Sequence, residues 1–566
     1  MDLFMKDKKT SARITFSMKQ IFKRPLVQIV SGLLLLVLTG GYVAANVYLE
    51  PFIKESLQNK VISASGGVYR LSVEKLRINL ALGNIRLHGV ALQTDSAAAR
   101  ACARPVVTLR ARNLTLHGAR WWKFLKSGAL QISGIRLDNP DLRLVQYADT
   151  LPQPDSPAVS FAERLPRLLC PLTDCLSVGQ LDVDNATVCL AAVRDSLVNW
   201  QAFDRLHLHL HRTRIDTRPG AMSGEQLPFY TRHIELAFQH FRSWQVGSRY
   251  ILEAGALALA DSVLKVSDVA FRPVGSDSVR VKVPAVRIPA YRIKLGEVGM
   301  TGLNLYELLH RGKLEARLLS IDKGRVDIAN NANLPLPRWR KMPNEAWRQL
   351  RLPVSIDSIS AQNIDIVYRE RIDDEQGKLS FLNTCITAVN LSNDTLRMND
   401  STPFRLNAST RFMGAGKMYA AFAIPLLSPD FSCAFQFSLC DMPFAALNAI
   451  LLPKSNVRVE EGLVNNIAAS GVATNGWTRG QLRIDYEQLK IAVLREDSSR
   501  KKLLATTMAN LVLRNDSNNQ QLDYRIQPIA YRRMPEDGFF RLIWRATQSA
   551  LAPALTAVKI RPKQKK

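Results

Sequence analysis

Tyr69-Arg70-Leu71-Ser72-Val73-Glu74-Lys75-Leu76-Arg77-Ile78 and, a few residues on, Asn84-Ile85-Arg86-Leu87-His88-Gly89-Val90-Ala91-Leu92 decide the fold class. Leu71 and Val73, Leu76 and Ile78, Leu80 and Leu82, Ile85 and Leu87, Val90 and Leu92 recur with a period of two, and glycines or polar pairs break the runs. Period two puts apolar side chains on one face of a strand and polar ones on the other. Similar runs continue to about residue 530, interrupted by loop signals at 152–157, Arg218-Pro219-Gly220 and Leu334-Pro335-Leu336-Pro337. The pattern predicts a mainly β chain forming an extensive, largely antiparallel sheet with short helices. Some 25–30 strands about 4.8 Å apart would span roughly 120–140 Å.

Self-comparison adds a second constraint. Gly118 to Leu144 aligns without gaps onto Gly302 to Ile328, matching Trp121-Trp122-Lys123-Phe124-Leu125 to Leu305-Tyr306-Glu307-Leu308-Leu309. Leu130, Ile132, Ile135, Leu137, Leu142 and Leu144 also fall on Leu176, Val178, Leu181, Val183, Val188 and Leu190, and Ile356, Ile359, Ile364 and Ile366 resemble a shortened copy. The unit is a short amphipathic helix followed by strands. Units that bury their apolar faces only against neighbours build elongated stacks.

Upstream, Pro25 to Leu49 contains no charge and is long enough for a helix to cross a bilayer. Seven basic residues precede it (Lys6, Lys8, Lys9, Arg13, Lys19, Lys23 and Arg24), whereas charges balance just beyond. This asymmetry predicts a cytoplasmic N-terminus and export of the remainder. Small residues at Val43-Ala44-Ala45 leave a cleaved signal peptide as the competing reading. The predicted organisation is a basic segment 1–24, a transmembrane helix 25–49, a β-groove region 50–535, and an amphipathic helix with a basic tail 536–566.

The net charge of +27 favours an anionic neighbour, phospholipid head groups among them. Basic residues are dense only at the two ends, against a nucleic-acid platform. Seven cysteines leave at least one unpaired within the chain, and no Cys-x-x-Cys pair is present. Cys170 and Cys175 are spaced so that they can bridge in an oxidising compartment, while Cys102, Cys385 and Cys433 read as small buried apolar residues.

A basic-flanked N-terminal helix followed by Tyr69 to Ile78 and Asn84 to Val90 resembles the AsmA-like envelope proteins. So do Ser133-Gly134-Ile135-Arg136-Leu137-Asp138-Asn139-Pro140, Asp441 to Asn448, Val459 to Leu463 and Gly480 to Tyr486. The resemblance covers nearly the whole chain as pattern, without a catalytic motif. It implies an inner-membrane anchor and a periplasmic curled sheet with an apolar inner face. It also implies kinship with bridge-like lipid-transfer proteins that conduct phospholipid or modulate outer-membrane assembly.

Motifs for enzymatic chemistry are missing from the sequence: there is no Gly-x-Ser-x-Gly, no His-Glu-x-x-His, and Gly414-Ala415-Gly416-Lys417 does not complete a phosphate loop. His207, His209 and His211 alternate with leucines, which predicts a solvated strand face before a metal site. No enzyme activity, cofactor, small-molecule substrate or nucleic-acid partner is expected. The expected partners are membrane phospholipids and, in a competing reading, envelope proteins docked on a scaffold that binds no lipid. Groove candidates are Leu130, Ile132, Ile135, Leu137, Leu142, Leu144, Val178, Leu181, Val183, Leu319, Ile321, Val326 and Ile328. From Phe539 the period lengthens to that of a helix. Phe539, Phe540, Ile543 and Trp544 are candidates for a membrane surface, with a plug of the groove end as the other reading.

Overall fold

The computed structural model describes residues 50–79, 82–101, 105–120, 123, 126–147, 174–194, 197–216, 230–244, 249–274, 285–350, 352–394, 402–493 and 526–555. The predicted membrane helix 25–49, Trp121-Trp122, Cys102, Cys170 and the basic tail from 556 lie outside them.

In chain order the elements are α1 (Glu50–Ser65), β1 (Tyr69–Asn79), β2 (Asn84–Thr94), α2 (Ser96–Ala101), β3 (Val106–His117), β4 (Ala129–Asp138), β5 (Asp141–Tyr147), β6 (Cys175–Arg194), β7 (Leu197–Asp216), β8 (His233–Trp244), β9 (Tyr250–Ala260), β10 (Val263–Pro273) and β11 (Ala290–Thr301). They continue as α3 (Leu305–Arg311), β12 (Leu314–Asn331), α4 (Pro343–Arg348), β13 (Val354–Ile372), β14 (Glu375–Ser392), β15 (Phe404–Phe412), β16 (Gly416–Ile424), β17 (Ser432–Pro443), a 3-10 turn (Phe444–Leu447), α5 (Asn448–Ser455), β18 (Val457–Thr474), β19 (Trp477–Val493), β20 (Ile526–Arg532) and α6 (Phe539–Leu555).

Strands pair with their sequence neighbours in one curled, largely antiparallel sheet; only β4–β6, β5–β6 and β12–β13 run parallel. β4 and β5 lie end to end between β3 and β6, so the twenty strands among the described residues fill nineteen positions. At about 4.8 Å per strand the described part of the sheet is about 85 Å along its curl, against the roughly 120–140 Å expected.

The shortfall has a structural cause. Leu71, Val73, Leu76 and Ile78 all belong to β1, and Ile85, Leu87, Val90 and Leu92 all belong to β2. Apolar runs that read as separate strands are two halves of one kinked strand. The kinks form a row across the sheet: Gly89, Asn139, Asn185, Arg205, His240, Asp268, Lys323, Asn363, Asn383, Asp441 and Gln488 each have positive φ. Ladder pairing is interrupted or shifted beside many of them, as between Val183 and Ala186 on β6. One left-handed residue shifts the alternation by one, returning the next apolar residue to the same face, and bends the sheet there. At Gly89, φ is +58°, and a Cβ would lie 2.2 Å from the Glu74 carboxyl carbon.

The long repeat is structural too. Gly118 and Gly302 have φ of +60° and +67°, Gly128 and Gly312 have +68° and +63°, and Asn139 and Lys323 are its kink residues. In each copy the next strand pairs in parallel and stacks another kink alongside, Asn185 beside Asn139 and Asn363 beside Lys323.

Helices protect both edges. Along the free edge of β1, the Glu50 carboxylate accepts from the Ile78 N–H at 2.9 Å and Lys54 Nζ donates to the Glu74 carbonyl at 3.2 Å. At the other edge β20 is short, contains Pro528, and its Ala530 N–H donates to Ser549 of α6. Short, proline-bearing, covered edges resist pairing with other chains.

Candidate functional site: an apolar trough

Register joins the apolar residues into one uninterrupted row. It runs Leu76, Leu87, Leu114, Leu137, Val183, Leu208, Leu236, Leu259, Leu264, Met300, Leu319, Ile359, Ala388, Leu406, Phe422, Phe435, Gly471, Gly480 and Ile529. Every strand position contributes an apolar residue or a glycine. Registered strand neighbours project to the same side, so this row defines the inner face of the curl.

The groove candidates follow it. Leu130 is registered with Leu176, Ile132 with Val178, Ile135 with Leu181 and Leu137 with Val183. Leu142 stands beside Val188 and Leu144 beside Leu190, and Leu319, Ile321, Val326 and Ile328 stand beside Ile359, Ala361, Ile366 and Tyr368. Ile132 and Val178 are buried at 3% and 2% exposure, and the other eleven are half-buried. A one-layer sheet without a second layer leaves its apolar face in that state. Sequence reasoning did not single out Phe203, Phe238 and Phe241, which cluster among these strands with the Phe203 and Phe238 rings stacked at 4.7 Å. Phe238 stands two residues from Leu236 of the row, on the same face, and is registered with Leu257.

Helices cover the face unequally. Ile53 of α1 packs on the cluster of Val73, Leu76, Leu87, Val90 and Ala111, and Leu305 and Leu308 of α3 pack with Leu181, Leu208, Leu210 and Leu264. At the C-terminal end α6 lays Leu542, Ile543, Ala546, Ala550 and Ala554 into a continuous core with Phe431, Phe435, Ala469, Leu482, Ile484 and Ile529. Of the four membrane-surface candidates, Ile543 is buried and Phe539 meets the Phe422 ring edge-on at 5.4 Å, whereas Phe540 and Trp544 are 80% and 53% exposed. α6 therefore has a sheet-facing side and an outer aromatic pair.

Asp537, 1% exposed, positions that helix. It accepts from Arg541 Nε at 2.8 Å, the Tyr531 hydroxyl at 2.8 Å and the Met534 N–H at 3.0 Å. Burial, then the contact with Asp537, pushes the Tyr531 hydroxyl up to about 12.

Over β6–β10 the outer face carries paired charges. His207 and His209 each lie against an acidic partner on β6, Asp184 and Asp182, and His240 lies 2.9 Å from Asp204. Sequence spacing does not reveal these partners; the register of β6 on β7 supplies those of His207 and His209, and that of β7 on β8 supplies Asp204 to His240. Among the described residues no group of three or more His, Cys, Asp or Glu is placed to hold a metal ion. Arg272 grips Glu253 through two hydrogen bonds of 2.7 and 3.0 Å and holds its carboxyl below the usual range. Cys433 is buried as expected, its thiol pushed up to about 12 by burial, but Cys385 is exposed. Cys385, Asn407, Tyr419 and Gln436 help line a shallow depression on β14–β17.

No protein-family model matches the chain, and no curated protein is significantly similar to it. Among the described residues no helix is long and apolar enough to cross a membrane.

Proposed function

We propose that the chain is a non-enzymatic, AsmA-like envelope protein that holds or transfers glycerophospholipid by taking acyl chains onto the inner face of its curled sheet. The carrying observation is the unbroken apolar row through nineteen strand positions, half-buried over much of its length. Apolar area leaves water at about 25 cal/mol per Å², and the part of the stripe that no helix covers needs an apolar occupant. A flexible hydrocarbon chain suits a lining with no fixed polar position, and the net charge of +27 suits anionic head groups outside it.

In this reading, residues 25–49 anchor the chain in the inner membrane with the N-terminus cytoplasmic and the bulk periplasmic, and lipid supply supports outer-membrane assembly. Phe540 and Trp544, with Arg545 nearby, form the outward membrane-contacting side of α6.

Lipid extraction from the purified full chain, followed by mass spectrometry, tests the reading. Stoichiometric glycerophospholipid is expected. A lipid-free chain that still captures envelope proteins would replace the reading with the docking scaffold.

A further inference from the structure

The inner face changes character along the sheet. Over β4–β12 this face is dry beneath α3, where Leu210 and Ile234 are buried, while Leu137, Val183, Leu236 and Leu319 are half-buried. Over β17–β20 the same face is dry: Phe435 is 3% exposed, Ala469 3%, Leu482 0% and Ile529 2%. Two elements make the difference. α6 seats Leu542, Ala546 and Ala550 on this face at 0% exposure, and the alanines, with Gly471 and Gly480 in the sheet, allow close approach. Met342, at the start of α4, adds a side chain at 0% exposure, and Asn344 within α4 donates its amide to the Ser428 carbonyl at 2.9 Å. Arg533 ties the two together by donating to the Arg340 carbonyl at 3.0 Å, beside the Asp537 contacts that hold α6.

We propose that the trough is closed at its C-terminal end. Acyl chains are held over β3–β13 and stop at the wall built by α6, the segment entering α4 and the inner face of β16–β20. This rests on the lipid-holding reading and gives it an extent. Lipid enters and leaves along the open flank, because passage out through the end would require α6 to leave a packed core. The occupant is a hydrocarbon chain because the open stripe is aliphatic and aromatic across successive strands, while the chain's excess positive charge matches phosphate head groups. A protein helix on the same stripe is the competing occupant.

The test uses the full, unsubstituted chain and vesicles of phosphatidylglycerol and phosphatidylethanolamine carrying a photoactivatable diazirine in the acyl chain. Irradiation and peptide mass spectrometry then locate the labelled residues. Labelling is expected on inner-face residues of β3–β13 away from α3, such as Leu236, Phe238 and Leu319, and is expected to be absent at Phe435, Ala469 and Leu482. Equal labelling of both groups, or labelling confined to β16–β20, would overturn the closed end while leaving the lipid-holding reading intact. Absence of label from every strand would overturn both.

Discussion

At the scale of single residues, the left-handed row is where side-chain choice matters most. An L-residue in the left-handed region costs about 1–2 kcal/mol, and Asn and Asp tolerate it best. Asn139, Asn185, Asp268, Asn363, Asn383 and Asp441 fit that preference, whereas Arg205, His240, Lys323 and Gln488 do not. Lys323→Val should destabilise by about 2 kcal/mol because a β-branched side chain suits that backbone worst, while Lys323→Gly should stay within about 0.5 kcal/mol. Denaturant midpoints of the two variants check this; equal midpoints would contradict it.

Two ionisable groups set pH limits in opposite directions. Glu253 titrates below its ordinary value in the folded chain because Arg272 hydrogen-bonds its charged form. Its contribution is therefore present above pH 4.5 and lost as pH falls through the lower folded value. Tyr531 is raised from 10 to about 12, so its contribution is complete below pH 10 and is lost as pH rises towards 12. Melting curves across pH should show Glu253→Gln flattening part of the acid loss and Tyr531→Phe flattening part of the alkaline loss. Variant profiles parallel to the parent would remove these assignments.

At the scale of elements, α6 behaves as part of the core. Leu542→Ala removes a fully buried side chain and should cost about 2–5 kcal/mol. Phe540→Ser, on the outer side of the same helix, should change stability by less than about 0.5 kcal/mol. Hydrogen exchange in Leu542→Ala should rise first in β18–β20, which the helix covers. Uniform exchange along the chain would mean that the closed end is not a separate cooperative unit. Phe540→Ser and Trp544→Ser together should instead weaken binding of the full chain to anionic vesicles.

For the whole molecule, a curled sheet with one long apolar face predicts an elongated particle. A compact chain of this length would have a radius of gyration of about 24 Å. Small-angle scattering should give a clearly larger value, with a skewed distance distribution. A value at the compact limit would contradict an open trough and would require the free inner face to be packed away.

Strand character, the repeat and the polarity of the faces were all legible in residues such as Leu71 to Leu92, because alternation is written in neighbouring positions. The thirteen groove candidates could be chosen from the repeat alone, and register aligns them. Among the described residues there are fewer strands than expected because a polar pair such as Glu74-Lys75 reads as a boundary, whereas β1 continues through it opposite the kink at Gly89. Whether such a pair ends a strand depends on the ladder across from it, which sequence spacing does not contain. The split of α6 into Ile543 inside and Trp544 outside depended on which strands the helix meets. The acidic partners of His207 and His209 depended on the register of β6 against β7. Local periodicity therefore determined the strands and their apolar side. Tertiary structure decided where that side stays open, because cover comes from contacts between residues far apart in the chain.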